Sequence, residues 1–521
     1  MGGEPWDVLH DPDPADAHWS TDNVGEAAPG VLTPLSWSLW GMMGDRAPRE
    51  VAFRLGVFSS RERDTLPAIV RPYYGRMSIR MEFVGTVGDR MPGVTGPEAV
   101  GSLCGRVPET MAFHPTPKRY PVIAARLPRS MLATPQAIRT AAAATDLWWR
   151  AEIPRLSDLD LEQAKAVLYD AMRRFDETLT IHSLGLLAIM QPLLVALTDL
   201  VGRAGIGDIG ALSGSGGAEM AIIEDIWKAS RGELSVDDVV ANHGFHGPLE
   251  GEVSSLVWRE DHAPLERMIR SYAGCDEADN PAQRALLARR QLPELQQGVV
   301  SALPAARRPA ARFLLERAAR LLPLRGVGKR SFLQSLDVAR GATRRLSVLL
   351  GLDAFYLTAE ELLGPLPANA EVLVARREQR RREYEALTIP NMWHGIPEPS
   401  IAHHPHDGTT TIGGIGVSSG IAEGYVRVVT DPAFTDVKPG EILVTPTTDP
   451  SWASIMFLSS ALVVDIGGPL SHAAVVAREL GIPCVVNTRH GSRVLHTGDF
   501  VRVDGRGGTV EVLDHATVES R

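Results

Sequence analysis

The spacing of apolar positions changes twice along this chain. From about residue 130 to 385 they recur every three or four residues, the period of helices with one buried face. "SDLDLEQAKAVLYDAMRRFDETLTIHSLGLLAIM" predicts such a helix, with Ser157 as its N-cap. "GSGGAEMAIIEDIWKASRG" predicts a glycine-rich turn opening an amphipathic helix that stops near Gly232. "LDVARGATRRLSVLLG" and "AEVLVARREQRRREYEAL" predict two more. After about 410 the pattern shortens to "EGYVRVVT", "GEILVTP", "ALVVDIGG", "PCVVNT", "FVRVDG" and "GTVEVL", β-rich runs between turn residues, with one helix, "SHAAVVARELG", among them. Residues 386–410 lack any period, hold four prolines and four histidines, and read as a linker. Residues 1–48 read as irregular, and 49–110 as short strands or helices. The predicted fold class is α+β multidomain: a mainly helical body over 1–385 with a sub-boundary near 125, the linker, and a β/α module over 411–521.

Composition narrows the classes. A chain of 521 residues exceeds one ordinary core, so two or three domains are expected. The net charge of −10 argues against general binding to nucleic acid or anionic membrane. Cys104, Cys275 and Cys484 form no CxxC, which argues against disulfides and thiolate metal sites and for a reducing, cytoplasmic setting. The first residues lack a basic segment followed by an apolar one, so no signal peptide is read there. The apolar stretch 184–202 is interrupted by Gln191, Pro192 and Asp199 and reads as a core helix rather than a membrane span.

The chemistry concentrates at "GGPLSHAAVVARELGIPCVV", residues 467–486. A buried strand over 463–466 runs into Gly467 and Gly468, which allow a tight turn and close backbone approach. Ser471 and His472 then open a helix, whose N-terminal N–H groups and dipole favour a phosphate. Neutral imidazole is a capable nucleophile near neutral pH. Ala473, Ala474 and Ala477 keep the helix face small, so that the histidine can enter another domain's cleft. This arrangement suits a transient phosphohistidine at His472; an isolated Ser-His pair would read as a structural cap.

That string, GG-x-x-SHAAVVARE-x-GIP-x-VV, resembles the swivelling phosphohistidine domain of the PEP-utilising enzymes, which include PEP synthase, pyruvate phosphate dikinase and rifampicin phosphotransferase. "GVSSGIAEGYVRVV", "PGEILVTPTTDPSWASIMFLSSALVVDIGG" and "GDFVRVDGRGGTVEV" resemble its flanking strands, so the resemblance covers 413–513. It implies that His472 is phosphorylated, with Gly467, Gly468 and Ser471 supporting the loop, and that Cys484 only packs. A looser resemblance covers the body. "HWSTDNVGEAAPGVLTPLSWSLW", "IVRPYYGRMSIRMEFVG" with "DRMPG", and "DAFYLTAEEL" resemble the acceptor domain of rifampicin phosphotransferase-like proteins. "HGFHGPLEGEVSSLVWRED" resembles that family's H-R-G-P-G-E block, with Phe245 and His246 in place of its His-Arg pair and Leu249 in place of a glycine.

The candidate acceptor region is therefore Trp19, Trp37, His246 and Glu250. Trp19, Trp37 and Trp40 read as core residues or as a ligand wall. His243 and His246 with Glu250 and Glu252 read as a metal site or as a general base; no metal is assigned. Residues 213–217 lack the Lys-Ser/Thr of a phosphate loop and read as a helix-start turn. The run 307–345 holds eleven basic residues against Glu316 and Asp337; it reads as a solvated helix face, with Asp337 and Arg340 pairing, or as a surface for a phosphate or acidic partner.

Because the acceptor-like motif begins at residue 19, an ATP-grasp domain is not expected within this sequence, nor is a PEP/pyruvate barrel after "GTVEVL". The resemblance then implies a phosphotransferase component with no cofactor bound in this chain. A separate ATP-grasp-type partner, using ATP and Mg²⁺, would load His472, and a small-molecule hydroxyl would receive the phosphate. The alternatives are an inactive binding or regulatory homologue, or a phosphocarrier to another protein. Neither nucleic acid nor membrane is expected as a partner.

Overall fold

The computed structural model describes residues 6–13, 15–205, 212, 218–401, 411–430, 437–448, 452–468 and 471–515. The chain is α+β and divides into two compact units: 1–188 with 249–255 and 327–403, and 189–248 with 256–326 and 404–521.

The first unit is mainly helical. Its largest N-terminal element is the helix Pro34–Leu55, where the irregular segment was expected. Thr33 caps it, Pro34 occupies a first-turn position where its missing N–H is harmless, and Gly56 (φ 88°) ends it. Leu35, Leu39, Trp40, Met43, Val51 and Leu55 form its buried stripe. Trp40 meets Phe175 and Phe332 edge-on and donates its indole N–H to the Gly251 carbonyl (2.7 Å). Ser157 does not cap the next helix. It lies in a short 3₁₀ turn, Ile153–Asp158, and Asp160 caps Leu161–Gly185 through a reciprocal box with Gln163. Beside the helices stands an antiparallel sheet in the order β2-β3-β1-β5: β1 (His18–Ser20), β2 (Val70–Tyr73), β3 (Arg76–Arg80) and β5 (Met392–His394). The pair β4 (Leu387–Thr388) and β6 (Ser400–Ile401) forms a separate two-stranded ribbon.

The basic run splits in two. On helix Arg308–Leu321, Arg308, Arg312, Arg317 and Arg320 are solvated. On Leu324–Leu350 the sequence turns inward: Asp337 and Arg340 pair at 3.3 Å with side chains 0 % and 1 % exposed. Trp149 donates to Asp337 (2.7 Å), and Arg340 donates to the Glu250 and Glu252 carbonyls (3.3 and 3.5 Å). An ion pair this deep needs such added hydrogen bonds to offset its desolvation.

The second unit carries an eight-stranded sheet in the order β7-β14-β13-β9-β10-β11-β12-β8: β7 (Thr411–Gly413), β8 (Ile415–Ser418), β9 (Ile421–Val428), β10 (Ile442–Thr445), β11 (Ala461–Val464), β12 (Cys484–Val486), β13 (Phe500–Asp504) and β14 (Thr509–Asp514). Strands β9 to β12 are parallel and the others antiparallel. Alternation along the parallel strands feeds two cores, which is why they read as unbroken apolar runs. Ile442, Val444, Ala461, Val463 and Val485 face one core with Val501, Val503 and Val510. Leu443, Leu462, Val464, Cys484 and Val486 face the other. That second core continues through Met456 and Phe457 into Trp227, Leu265 and Tyr272 of helices Ala218–Ser230 and Ala263–Ala273. Tyr272 stacks on Phe457 with centroids 5.1 Å apart. Helix Ala218–Ser230 ends before Gly232 (φ 75°); the preceding residues 213–217 lie outside the described ones.

Among the described residues one helical stretch, Leu161–Ala204, is long and apolar enough to cross a membrane by length and composition, and 39 % of its most apolar window is buried. Leu197 and Leu200 enter a core with Val299, Val300 and Leu315.

Candidate active site

Strand β11 delivers the chain to Asp465, and Gly467 (φ 149°) and Gly468 turn it. A side chain at Gly467 would be strained at that φ. Ser471 donates its N–H to the Gly468 carbonyl (3.0 Å), and its hydroxyl accepts from the Ala474 N–H (3.3 Å), capping the helix His472–Leu480. Gly481 in the left-handed region ends that helix. His472 thus sits at N1, with its imidazole Nδ1 3.2 Å from the hydroxyl of Thr448, and is 1 % exposed. Thr448 follows β10, so two adjacent parallel strands bring histidine and hydroxyl to one sheet edge. Ala473, Ala474 and Ala477 face the core of their own unit rather than outward; their smallness lets the helix lie close to the sheet. Cys484 is fully buried, which pushes its thiol up to about 12, consistent with a packing role.

Asp465 anchors the base of this loop. Its carboxylate accepts the Thr488 hydroxyl (2.8 Å), the Ser492 N–H (3.0 Å) and the Ser492 hydroxyl. Thr448 and Asp465 were inside the quoted strings but not singled out. Their roles depend on contacts across 23 to 27 residues, which no local pattern encodes; only the hydroxyl-rich "TPTT" after a strand hinted at the first.

The acceptor candidates divide between the units: Trp19, Trp37 and Glu250 in the first, His246 in the second. Trp19 is fully buried on β1, edge-on to Tyr73 (5.5 Å), whose other neighbour is Trp393 (5.3 Å). Arg71 and Arg80 lie over the Trp19 ring at 5.6 and 5.9 Å. Burial pushes the Tyr73 phenol up to about 12 despite Arg71 beside it. Trp37, half-buried, belongs to a neighbouring cluster with Leu9, Val31 and Tyr384. Glu250 is buried, and its carbonyl accepts from Arg340. His246 is buried against Phe245 and Trp258, with ring centroids 4.1 and 5.7 Å away. His243 pairs with Asp225 (3.0 Å), and that bond holds the Asp225 carboxyl below its usual range.

The sequence offers Glu252 as a metal ligand or general base. Its carboxylate is committed instead to the Thr33 N–H (2.8 Å) and hydroxyl (2.8 Å), the Ser36 hydroxyl (2.7 Å) and the Ser254 N–H (2.9 Å). It thereby supplies acceptors for the first turn of helix Pro34–Leu55. Among the described residues no group of three or more His, Cys, Asp or Glu is placed to hold a metal ion.

Residues 437–508 match the PEP-utilising enzyme mobile domain, and 230–326 match the rifampicin phosphotransferase fourth domain. An uncharacterised protein of Mycobacterium tuberculosis is 34 % identical over 285 residues, covering 52 % of this chain and 32 % of that one. Rifampicin phosphotransferase of Streptomyces sviceus is 37 % identical over 165 residues, 31 % of this chain and 19 % of the enzyme. An uncharacterised phosphotransferase of Bacillus subtilis is 35 % identical over 178 residues, 32 % and 21 % of the two chains. The chain spans about a third or less of the length of these relatives. One domain match lies around His472 and a second in the helices whose Leu265 and Tyr272 share its core, and both are similar to domains of PEP-utilising enzymes, the rifampicin phosphotransferases among them.

Proposed function

We propose that this chain is the carrier-and-acceptor part of a phosphotransferase, with His472 as the transient phosphoryl carrier. The observation that carries the reading is the Thr448 hydroxyl at His472 Nδ1. If it accepts the Nδ1–H, the Nε2 lone pair is the one available to phosphorus. Nε2 attacks, the bond from phosphorus to the donor's bridging oxygen breaks, and that oxygen leaves with the bonding pair. In the second transfer a small-molecule hydroxyl attacks phosphorus, gives up its proton to a base, and the N–P bond breaks back to His472. Catalysis then lies in alignment and in offsetting oxygen charge. A separate ATP-grasp-type protein, using ATP and Mg²⁺, loads the histidine in the cytoplasm, and this chain itself binds no cofactor, nucleic acid or membrane. The names of the relatives support a phosphotransferase; the hydroxyl acceptor, the partner and the setting are our proposals.

A second reading, a binding or regulatory homologue, draws on the near-complete burial of His472. The test is incubation of purified protein and host-cell extract with β-³²P- or γ-³²P-ATP. Acid-labile, alkali-stable label is expected in wild type and none in His472→Ala. Thr448→Val should label about tenfold more slowly, equivalent to roughly 1.4 kcal/mol of barrier. Equal label in His472→Ala would overturn the site, and no label in wild type would favour the binding reading.

A further inference from the structure

Beyond the histidine, the edge where Thr448 and the Gly-Gly turn meet has a third contributor. Strands β10, β11 and β12 run parallel, so the loops that follow them gather at one edge of the sheet, where open parallel sheets meet their ligands. The third loop, after β12, is bonded directly to the second. Thr488 N–H donates to the Val464 carbonyl (3.2 Å) and Arg489 N–H to the Asp465 carbonyl (3.1 Å), two residues before Gly467. In this loop Asn487 (φ 57°) and Arg489 (φ 67°) both occupy the left-handed region. Asparagine tolerates that conformation; a long side chain does so at a cost that glycine would not incur. The Asp465 carboxylate, through Thr488 and Ser492, holds the loop in that shape. There is no slack in it, because a Cβ at Gly491 would lie 2.7 Å from the Thr488 hydroxyl.

Strain retained against an available glycine points to a use for the side chain. Arg489 is exposed, and its guanidinium makes no ion pair or side-chain hydrogen bond among the described residues. Other arginines of the same sheet are engaged: Arg427 with Glu441 (2.6 Å) and Arg502 with Glu423 (2.7 Å). A guanidinium fork matches two oxygens of a phosphoryl group, whose charge spreads over three oxygens during transfer.

We propose that Arg489 is a catalytic residue that binds the phosphoryl oxygens as the group moves onto His472 Nε2. It rests on the phosphohistidine reading. In the step, Nε2 bonds to phosphorus, the donor's bond to phosphorus breaks, and the leaving group takes the electron pair; Arg489 stays protonated throughout.

The test uses potassium phosphoramidate as a small donor, so that no protein partner is needed; ammonia leaves as the N–P bond to His472 forms. Labelling at His472 is followed by ³¹P NMR and peptide mass spectrometry, with thermal melting in parallel. Arg489→Gly should label about tenfold more slowly than wild type and melt at the same temperature or higher, since glycine relieves the strained φ. Arg489→Lys should fall between, and Arg493→Ala, an exposed arginine with ordinary backbone nearby, should match wild type. Wild-type labelling in Arg489→Gly overturns this proposal and leaves the histidine reading intact. A melting point several degrees lower in Arg489→Gly also overturns it, by making the arginine structural. Label that is absent from wild type, or unchanged in His472→Ala, overturns both.

Discussion

Glu252 and Asp465 are both buried carboxylates, one in each unit, and each gathers hydroxyl and N–H donors from a distant stretch of chain. Glu252 takes three such bonds from Thr33 and Ser36, and a fourth from the neighbouring Ser254. Asp465 takes three from Thr488 and Ser492. What differs is the element each one serves. Glu252 completes the first turn of a 22-residue helix whose whole stripe is core. Asp465 fixes a surface turn that ends in an exposed arginine beside a Gly-Gly bend. The same chemistry serves stability in one place and positioning in the other, and residue type alone does not distinguish the two.

Replacing Glu252 should give the largest effect on folding. Glu252→Gln keeps the shape but turns an amide N–H₂ toward donors, so about 3 kcal/mol of stability should be lost, read by urea unfolding. A loss below the measurement error would remove the distinction. Asp465→Asn should cost less, about 1.5 kcal/mol, because its loop is partly solvated. Histidine labelling should nevertheless fall further than the unfolded fraction accounts for. Labelling that tracks stability alone would make Asp465 a second Glu252. A surface carboxylate calibrates the low end. Burial would raise Glu62, but hydrogen bonds from the Ser59 N–H and hydroxyl, with Arg90 at 2.7 Å, outweigh it and hold the carboxyl at about 2. Its folded pKa lies below the unfolded value near ~4.3, so its contribution is present above that pH and is lost as pH falls toward 2. Glu62→Gln should cost about 1 kcal/mol at pH 7, less than the shift alone implies because the carboxylate is one-third exposed, and the difference should vanish in melts near pH 2.

The histidine turn was legible because its signals are local: two glycines, a Ser cap and an apolar helix within twenty residues. Helix Pro34–Leu55 was not, although Leu35, Leu39, Trp40 and Met43 carry the helical spacing, because an internal Pro48 and the tryptophans resemble loop composition. Cap placement failed by three residues at Ser157, since Asp160 has the Gln163 partner that completes a box. Within "GVSSGIAEGYVRVV", which resembles a flanking strand, Gly420 (φ 127°) separates β8 from β9, and the two lie at different places in the sheet. Thr448 and Glu252 were beyond reach because their partners lie 24 and more than 200 residues away.

That break at Gly420 bears on how the sheet is made during synthesis. Strand β8 is translated early but, among the described residues, pairs only with β12, sixty-odd residues later, in the register Cys484↔Ser418. Until residue 486 has left the ribosome, β8 lacks this strand partner and the open side of β11 is an adhesive edge. The histidine turn lies inside that interval, so a nascent chain stalled between 472 and 484 would display the carrier segment on an unclosed sheet, where pairing with another chain competes with completion.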